Sequence, residues 1–543
     1  MLRLSLHVMG VTVIETGSTR WRDLALLTLI GLIAFLPGLA TLPPIDRDES
    51  RYMQATVQMV ETGDLVDIRF QDDARHKKPA GSYWAQYGSL ALTGQFDDVK
   101  RGERAVWAHR LPSVLGALIA VWATYLAGVV LFGRHEAFLG AGLFAVSVSL
   151  VFEAHIAKTD AMLAGASAVV LYGIVTRKAW PVWLGFAAGT LLKGPVLLGV
   201  AALALITEAI WTRSSDRIHG LMKPLPIFVA LLITLPWFIA IGIRTDGAFF
   251  ATSLGDDFGS KIGSAQETHG GPPGYYLLTT LGMLWPGVLA LPMAALFAWR
   301  ERVNPEVRLL LSWLVPMWLI LEFVPTKLPH YTLPLYPALA LLAGAAWVRL
   351  EGIKIRWVGL ATALIVGVIL SAGVALSLLD VARPWATISV GSVMVVATLI
   401  MLILFYRKKE HSALFVAAIV LGVGFGGLSR SPLLDLSPRL MAFIPDGSTV
   451  VSPDYREPSL VFLAGTRTKL TRDTQVGDIL ILSRGSHSYE ELTYGNETPQ
   501  CAVVLRNVGG LNYAKGQDLE LTILKTDTCT QAQLDAWTSQ TNL

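Results

Sequence analysis

The feature that most constrains this chain is a series of apolar runs, each about as long as a bilayer is thick. A membrane-crossing helix needs about 20 mostly apolar residues, because the hydrocarbon core is about 30 Å thick and each helical residue rises about 1.5 Å. About thirteen such runs occur, near residues 23–42, 109–132, 135–153, 160–177, 180–192, 195–211, 224–243, 275–298, 309–324, 328–348, 357–377, 385–406 and 412–428. The sequence therefore predicts an all-α polytopic membrane domain over residues 1–428.

Composition agrees with a membrane class and excludes one function. The chain is 53% hydrophobic and 16% charged over 543 residues. Its net charge of +3 is too small to give the positive electrostatic potential that attracts nucleic acid, so nucleic-acid binding is excluded. The first apolar run follows Arg20 and Arg22 and is longer than the core of a secretory signal, which indicates a retained first span.

The distribution of lysine and arginine orients the spans. Positive residues of short loops are retained on the cytoplasmic side, and alternate connections carry the basic clusters at 177–178, 213–223, 300–308, 349–356 and 407–409. With the N-terminus cytoplasmic, two long loops, 43–108 and 244–274, lie outside. The first is predicted to hold helices over 49–63 and 81–92 in the membrane interface.

After residue 428 the pattern changes to short alternating apolar and polar runs. Strands are predicted at 448–452, 477–483, 502–505 and 519–524, with a helix at 458–465. Residues 429–543 are therefore predicted to form an external α/β domain, since an odd number of spans precedes it. Cys501 and Cys529 both lie in this domain, and an oxidising compartment would allow them to pair as a disulfide.

Polar residues gather on the predicted outer side. The segment Asp46-Arg-Asp-Glu-Ser-Arg-Tyr52 follows the first span, and Lys77-Lys78 precede Tyr83-Trp84. The carboxylates and arginines suit a general base beside an anion site, but they also suit the first turn of a surface helix. The lysines suit a lipid phosphate, but interfacial lysines also occur without function.

Three later segments also place charges at outer connections, where charges near apolar spans are costly and tend to be functional. They are Lys158-Thr-Asp160, Lys193-Gly194 and Lys327-Leu-Pro-His-Tyr331, and the loop at 256–276 adds His269. A transporter is expected to hold such groups near the middle of the bilayer. Their concentration on one side favours an enzyme.

These motifs resemble a known family. Asp48-Glu-Ser-Arg-Tyr52, Lys78-Pro79 with Tyr83-Trp84, Lys193-Gly194 and Lys327-Leu-Pro-His-Tyr-Thr-Leu-Pro334 are similar to motifs of the GT-C membrane glycosyltransferases of the lipid A aminoarabinose transferase type. The recognisable motifs lie within residues 20–350. The resemblance implies inverting transfer of a sugar from a polyprenyl-phosphate carrier to a lipid A-like or other envelope lipid. It also implies a bacterial inner-membrane protein whose active site and C-terminal domain are periplasmic.

The resemblance also implies roles for individual residues. Asp48 and Asp160 would be the catalytic carboxylates, and Lys78, Arg51 and Lys193 would bind the donor phosphate. The remaining positions would line the substrate cavity, namely Asp46, Glu49, Tyr52, Tyr83, His269, Lys327, His330 and Tyr331.

One departure from the family concerns a metal. Family members usually carry a metal-binding glutamate directly before the Lys-Pro pair, whereas this chain has Lys77. A cation there removes a ligand and repels a metal ion, which argues against a bound zinc, although His269 and His76 stay candidate ligands. No cofactor is required by the sequence.

Two alternatives stay open. One is a GT-C enzyme with another acceptor, such as a protein O-mannosyltransferase. The other, from a different class, is a lipid flippase or transporter. The sequence specifies neither the sugar nor the acceptor.

Overall fold

The computed structural model describes residues 17–253, 255, 270–350, 354–378, 384–471, 475–484 and 501–527. Two residues with predicted roles, His269 and Cys529, lie outside these ranges, as does the side chain of Cys501. The predicted disulfide therefore falls outside the described residues.

The described part of residues 17–428 is mostly helical. Its α-helices are α1 Gly17–Phe35, α2 Asp48–Thr62, α3 Gly81–Leu92, α4 Phe96–Lys100, α5 Val106–Leu131, α6 Arg134–Ala145, α7 Val148–Ala154, α8 Asp160–Thr176, α9 Ala179–Lys193, α10 Val196–Thr212, α11 Asp216–Leu221, α12 Pro224–Arg244, α13 Ala248–Phe250, α14 Tyr275–Met283, α15 Leu291–Arg300, α16 Pro305–Phe323, α17 Tyr336–Arg349, α18 Ile355–Ser377, α19 Pro384–Tyr406 and α20 Glu410–Leu428. Two 3-10 helices, Gly287–Ala290 and Pro329–Leu335, lead into α15 and α17.

Several of these helices can cross a membrane. By length and composition, six described helices qualify, or eight if each of two bent pairs is one span. Large apolar side chains such as Ile239, Ile369 and Ile388 are exposed along α12, α18 and α19, where lipid tails would cover them. The prediction of a helical domain with several apolar spans is confirmed, and the count of thirteen stays a prediction.

Two predicted spans are bent. The run 135–153 divides into α6 and α7 with an angle of 56°, and the side-chain oxygen of Ser147 accepts a hydrogen bond from the Leu150 N–H at the start of α7. The run 275–298 bends by 119° between α14 and the helix that follows Gly287. Pro286 lies at that break and lacks the N–H that a continuous helix needs.

Glycines allow α5 and α8 to approach closely. A Cβ added at Gly165 would lie 2.6 Å from the carbonyl oxygen of Gly116, and one added at Gly116 would lie 2.6 Å from the Cα of Met162. Small residues let helix backbones meet in a membrane bundle. This contact fixes the first turn of α8, which begins at Asp160, beside α5.

The first long loop is held by protein on two sides. Eleven of the fifteen residues of α2 are buried. On one side Tyr52 of α2 stacks on Tyr83 of α3, with ring centroids 4.9 Å apart. On the other side Met53 and Val57 pack with Phe462 of the C-terminal domain. The helices predicted at 49–63 and 81–92 are confirmed, and their position in the membrane interface stays a prediction.

A short hairpin lies between α2 and α3. Its strands, β1 Arg69–Phe70 and β2 Asp73–Ala74, pair antiparallel, with Arg69 opposite Ala74. The hairpin returns the chain toward α2 directly before Arg75.

The C-terminal domain is a small α/β unit, as predicted. It contains α21 Leu436–Met441, α22 Pro458–Ala464, β3 Val450–Val451, β4 Ile479–Ser483, β5 Cys501–Asn512 and β6 Gln517–Asp527. The described strands form one sheet in the order β3-β4-β6-β5, with β3 parallel to β4 and the other pairs antiparallel. Ile479 and Ile481 join the core with Leu460 of α22 on one face, while Leu480 and Leu482 face the other side.

The last two strands are longer than predicted. Only 502–505 and 519–524 are apolar enough to predict strands, yet β5 and β6 pair from Cys501 opposite Asp527 to Asn512 opposite Gln517. A register shift between Val504 and Arg506 interrupts the alternation of β5. The hairpin therefore extends through residues whose polar side chains hide the strand pattern.

Candidate active site

The first turn of α2 presents Asp48 to the solvent. Asp48 is exposed although it is densely surrounded by protein, which places its carboxylate in a hollow. Burial alone would raise the pKa of Asp48, but the positive charges of Arg75, Lys158 and Arg51 together lower it below the ordinary value. Asp48 is therefore ionised at neutral pH and can act as a base or as a fixed negative charge.

Arg75 reaches the same hollow from the short hairpin. Its Nε donates a hydrogen bond to the Tyr83 hydroxyl at 3.1 Å, and its guanidinium carbon lies 5.0 Å from the centroid of the Tyr52 ring. Arg75 is buried. No motif in the sequence includes it, and the available signal was a charged residue close before the Lys-Pro pair.

A second carboxylate, Asp160, lies among cations from several elements. Lys193 at the end of α9 places its Nζ 2.5 Å from Asp160 Oδ1. Lys158 Nζ lies 3.6 Å and His330 Nε2 lies 3.8 Å from Asp160 Oδ2. Lys193 Nζ also lies 5.3 Å from the centroid of the Tyr331 ring. The motifs at 158–160, 193–194 and 327–331 therefore meet at one place.

Glu153 completes this group and was missed by the sequence analysis. Its Oε1 lies 3.0 Å from Lys158 Nζ and 3.7 Å from His330 Nδ1. Burial alone would lower the pKa of Lys158, but the charges of Glu153 and Asp160 raise it above the ordinary value. Glu153 ends an apolar run, and a carboxylate at that position was the only signal.

Electrostatic interactions join the Asp48 hollow to the Asp160 group. Lys158 and His330 act on the charge of Asp48, and both lie within 4 Å of Asp160. Tyr52 interacts with the charges of both Asp48 and Asp160. The two predicted catalytic carboxylates therefore share one cluster with Tyr52, Tyr83, Lys193, His330 and Tyr331.

Other predicted site residues have different surroundings. Asp46 contacts Ser459 of the C-terminal domain, and Glu49 forms a buried ion pair with Arg110. The Nζ of buried Lys327 donates to the carbonyl oxygen of Val324 at 2.6 Å. Lys78 is half-buried. Arg51 contributes to the low pKa of Asp48.

The residues considered for a metal do not form a cluster of three ligands within the described ranges. His76 Nε2 lies 2.9 Å from Asp67 Oδ1, and its ring meets Phe249 edge-on with centroids 5.9 Å apart. Lys77 beside it is exposed. The pairing with Asp67 lowers the pKa of that carboxyl, although burial opposes this.

Comparison with curated proteins finds relatives of one kind. The chain is 29% identical over 373 residues to an undecaprenyl phosphate-alpha-4-amino-4-deoxy-L-arabinose arabinosyl transferase of Yersinia pestis strain Pestoides F. It is 27% identical over 350 residues to the protein of that name from Pectobacterium carotovorum subsp. carotovorum strain PC1. These matches cover 64% and 62% of this chain and only 65% and 60% of the relatives. No family model matches the chain.

Solved structures confirm the fold. ArnT from Cupriavidus metallidurans bound to undecaprenyl phosphate superimposes with a TM-score of 0.73 at 19% identity, over 95% of this chain and 99% of that one. The apo oligosaccharyltransferase of Archaeoglobus fulgidus gives a TM-score of 0.50 at 11% identity, over 85% of this chain and 65% of that one. The resemblance predicted from the motifs is therefore confirmed in sequence and in overall fold.

Proposed function

We propose that this chain is a glycosyltransferase that moves one sugar from a polyprenyl-phosphate carrier to an envelope lipid of the lipid A type. The observation that carries the proposal is the cluster around Asp48 and Asp160. In it the ionised, accessible carboxylate of Asp48 lies near Arg75, Lys158 and Arg51, and Asp160 pairs with Lys193. The names of the curated relatives, and the undecaprenyl phosphate bound to the Cupriavidus protein, support this substrate class.

The reaction breaks the bond between the anomeric carbon and the carrier phosphate. The acceptor oxygen attacks that carbon from the opposite face, so the configuration inverts, and the carrier phosphate leaves with the bonding electrons. Lys78 and Arg51 stabilise the charge that develops on the phosphate. No step is assigned to a metal.

Asp48 is the carboxylate that acts on the acceptor or on the sugar in this proposal. Asp48 removes the proton of a hydroxyl acceptor, whereas with an ionised phosphate acceptor it steadies the positive charge on the sugar. Lys193 holds Asp160 in place through their close ion pair. Tyr52, Tyr83 and Tyr331 supply aromatic surface for the sugar and the lipid carrier.

We also propose the placement in the cell. The chain crosses a bacterial inner membrane about thirteen times with a cytoplasmic N-terminus, as the basic loops predict. The cluster and the C-terminal domain then face the periplasm, where lipid-linked sugars replace nucleotide sugars as donors.

Mass spectrometry of envelope lipids from cells with and without the gene tests the function and identifies the sugar. Gain of one sugar mass on a lipid A-type species supports the proposal. A sugar found on protein instead indicates an O-mannosyltransferase-like enzyme. Identical glycolipids in both strains, together with carrier movement across vesicles, indicate a flippase and refute it.

A further inference from the structure

The C-terminal domain forms hydrogen bonds with Asp46, two residues before Asp48. Asp46 Oδ1 accepts a hydrogen bond from the Ser459 N–H at 2.7 Å, and Asp46 Oδ2 accepts one from the Ser459 hydroxyl at 2.6 Å. The N–H of Asp46 donates to the Tyr513 hydroxyl at 2.5 Å. Both the side chain and the backbone of Asp46 are therefore held by the C-terminal domain.

The next residue, Arg47, is held in the same way. Its Nη2 donates to the carbonyl oxygen of Ala514 at 3.2 Å, and its Nε lies 3.9 Å from Glu457 Oε2. Glu457 is itself buried and accepts a hydrogen bond from Asn512 Nδ2 at 2.9 Å. Contacts thus come both from the start of α22 and from the turn that joins β5 to β6.

We propose that the C-terminal domain positions the carboxylate of Asp48 through the contact between Asp46 and Ser459. This inference rests on the proposed function, in which Asp48 acts at the transferred sugar. Asp46 is then a positioning residue and not part of the sugar cavity. Asp46 and Asp48 are at most two Cα steps of about 3.8 Å apart. A shift of Asp46 therefore moves the first turn of α2, which carries Asp48.

A second contact between the same two parts supplies a matched control. Thr466 Oγ1 accepts a hydrogen bond from Gln54 Nε2 at 2.8 Å and donates one to Glu61 Oε2 at 2.7 Å. Gln54 and Glu61 lie about 9 Å and about 20 Å along the helix from Asp48, at about 1.5 Å per residue. Thr466 therefore contributes to docking without contacting the first turn of α2.

The test compares full-length Ser459→Ala, Asp46→Ala and Thr466→Ala in detergent. A misplacement of about 1 Å can cost about a hundredfold in rate, so we expect the first two to lower kcat about tenfold or more while the KM for the polyprenyl-phosphate sugar changes little. Thr466→Ala should lower the unfolding temperature about as much as Ser459→Ala does, and it should keep the kcat of the wild type. Ser459→Thr restores the hydroxyl and should recover kcat.

Amide hydrogen exchange of the segment 46–53 gives a readout that does not depend on activity. Exchange should rise in Ser459→Ala and stay unchanged in Thr466→Ala. The inference is overturned if Thr466→Ala lowers kcat as much as Ser459→Ala, or if Ser459→Ala leaves kcat and exchange unchanged. If Asp46→Ala fails to fold, Ser459→Ala decides, since it keeps the N–H donor. A wild-type protein without transfer activity would refute the proposed function, and the exchange result would still decide this inference.

Discussion

Asp48 and Glu49 are adjacent carboxylates with opposite surroundings. Asp48 opens to a solvent-accessible hollow and is stabilised by several cations around it. The side chain of Glu49 is fully buried, and Arg110 donates to it from Nε at 2.8 Å and from Nη2 at 2.9 Å. The backbone N–H groups of Ala157 and Ile45 complete its contacts, both at 2.8 Å.

Of these two neighbours, Asp48 is accessible to a ligand and Glu49 is part of the buried core. One helical step turns a side chain by about 100°, which directs Asp48 to the hollow and Glu49 to the core. Arg110 also donates to the carbonyl oxygens of Leu39, Leu42 and Pro43, so the buried pair secures the chain that follows α1. The oxygens of Glu49 are committed to the fold, whereas the charge of Asp48 can act on a substrate.

The largest expected effect comes from Asp48→Asn. This change keeps the shape and removes the charge, so transfer should fall about 10³-fold, the scale of a lost general base. The measurement is carrier phosphate released per enzyme, and the unfolding temperature of the variant should match that of the wild type. A variant with full turnover would contradict the catalytic role of Asp48.

Glu49→Gln should act on stability. It leaves the buried guanidinium of Arg110 without a negative partner, which costs about 3–5 kcal/mol when one member of a buried pair is removed. Thermal unfolding in detergent should show a large loss that Asp48→Asn does not share. Equal unfolding temperatures for the two variants would remove the distinction between the two carboxylates.

A smaller effect on rate is expected from Lys193→Met. Asp160 then keeps Lys158 at 3.6 Å as its nearest described lysine. Loss of one charged contact in such a site lowers the rate of transfer about a hundredfold. Lys193→Arg keeps the charge and serves as the control in the same transfer assay. A Lys193→Met variant with the wild-type rate would show that the charge at this position is not required.

The smallest expected effect is the pH dependence of stability that comes from Asp46, which contacts Ser459. Burial raises the pKa of Asp46 from 3.8 to about 6, while hydrogen bonds from Ser459 oppose the rise and Glu457 adds to it. Because its pKa is raised, Asp46 binds a proton more tightly in the folded state than in the unfolded state. The contribution of Asp46 to stability is therefore largest at low pH. It is lost as the pH rises from about 4 to about 6.

The matched measurement compares wild type with Asp46→Asn. Arg51, Glu457, Tyr455 and Tyr513 also interact with Asp46, so only the difference between the two proteins isolates its titration. The unfolding temperature of the wild type should rise relative to that of the variant from about pH 7 to about pH 5. A difference that does not change with pH would contradict a titrating Asp46.

The elements were predictable where the pattern is local. The apolar runs gave the helices α8, α9 and α10 within one or two residues, alternation located β4, and the helix predicted at 458–465 is α22. The bends at Ser147 and Pro286 were not predicted, because length and hydropathy do not report where a helix changes direction.

The candidate site was predictable only in part. The motifs identified Asp48, Asp160, Lys193 and His330, which the fold brings together. Arg75 and Glu153 belong to no motif. The contact of Asp46 with Ser459 joins residues 413 positions apart, so no local pattern could predict it. The separate environments of Asp48 and Glu49 depend on how α2 is rotated, which tertiary packing decides.

The burial of α2 between α3 and the C-terminal domain limits how parts of such enzymes can be exchanged. A chimera that takes only the loop or only the domain from a relative would set Met53 and Val57 against an unmatched surface in place of Phe462. It would also disturb the contact in which Arg104 Nε donates to the carbonyl oxygen of Phe462 at 2.7 Å. Grafts intended to change acceptor specificity should therefore carry residues 43–108 and the domain after residue 428 as one unit.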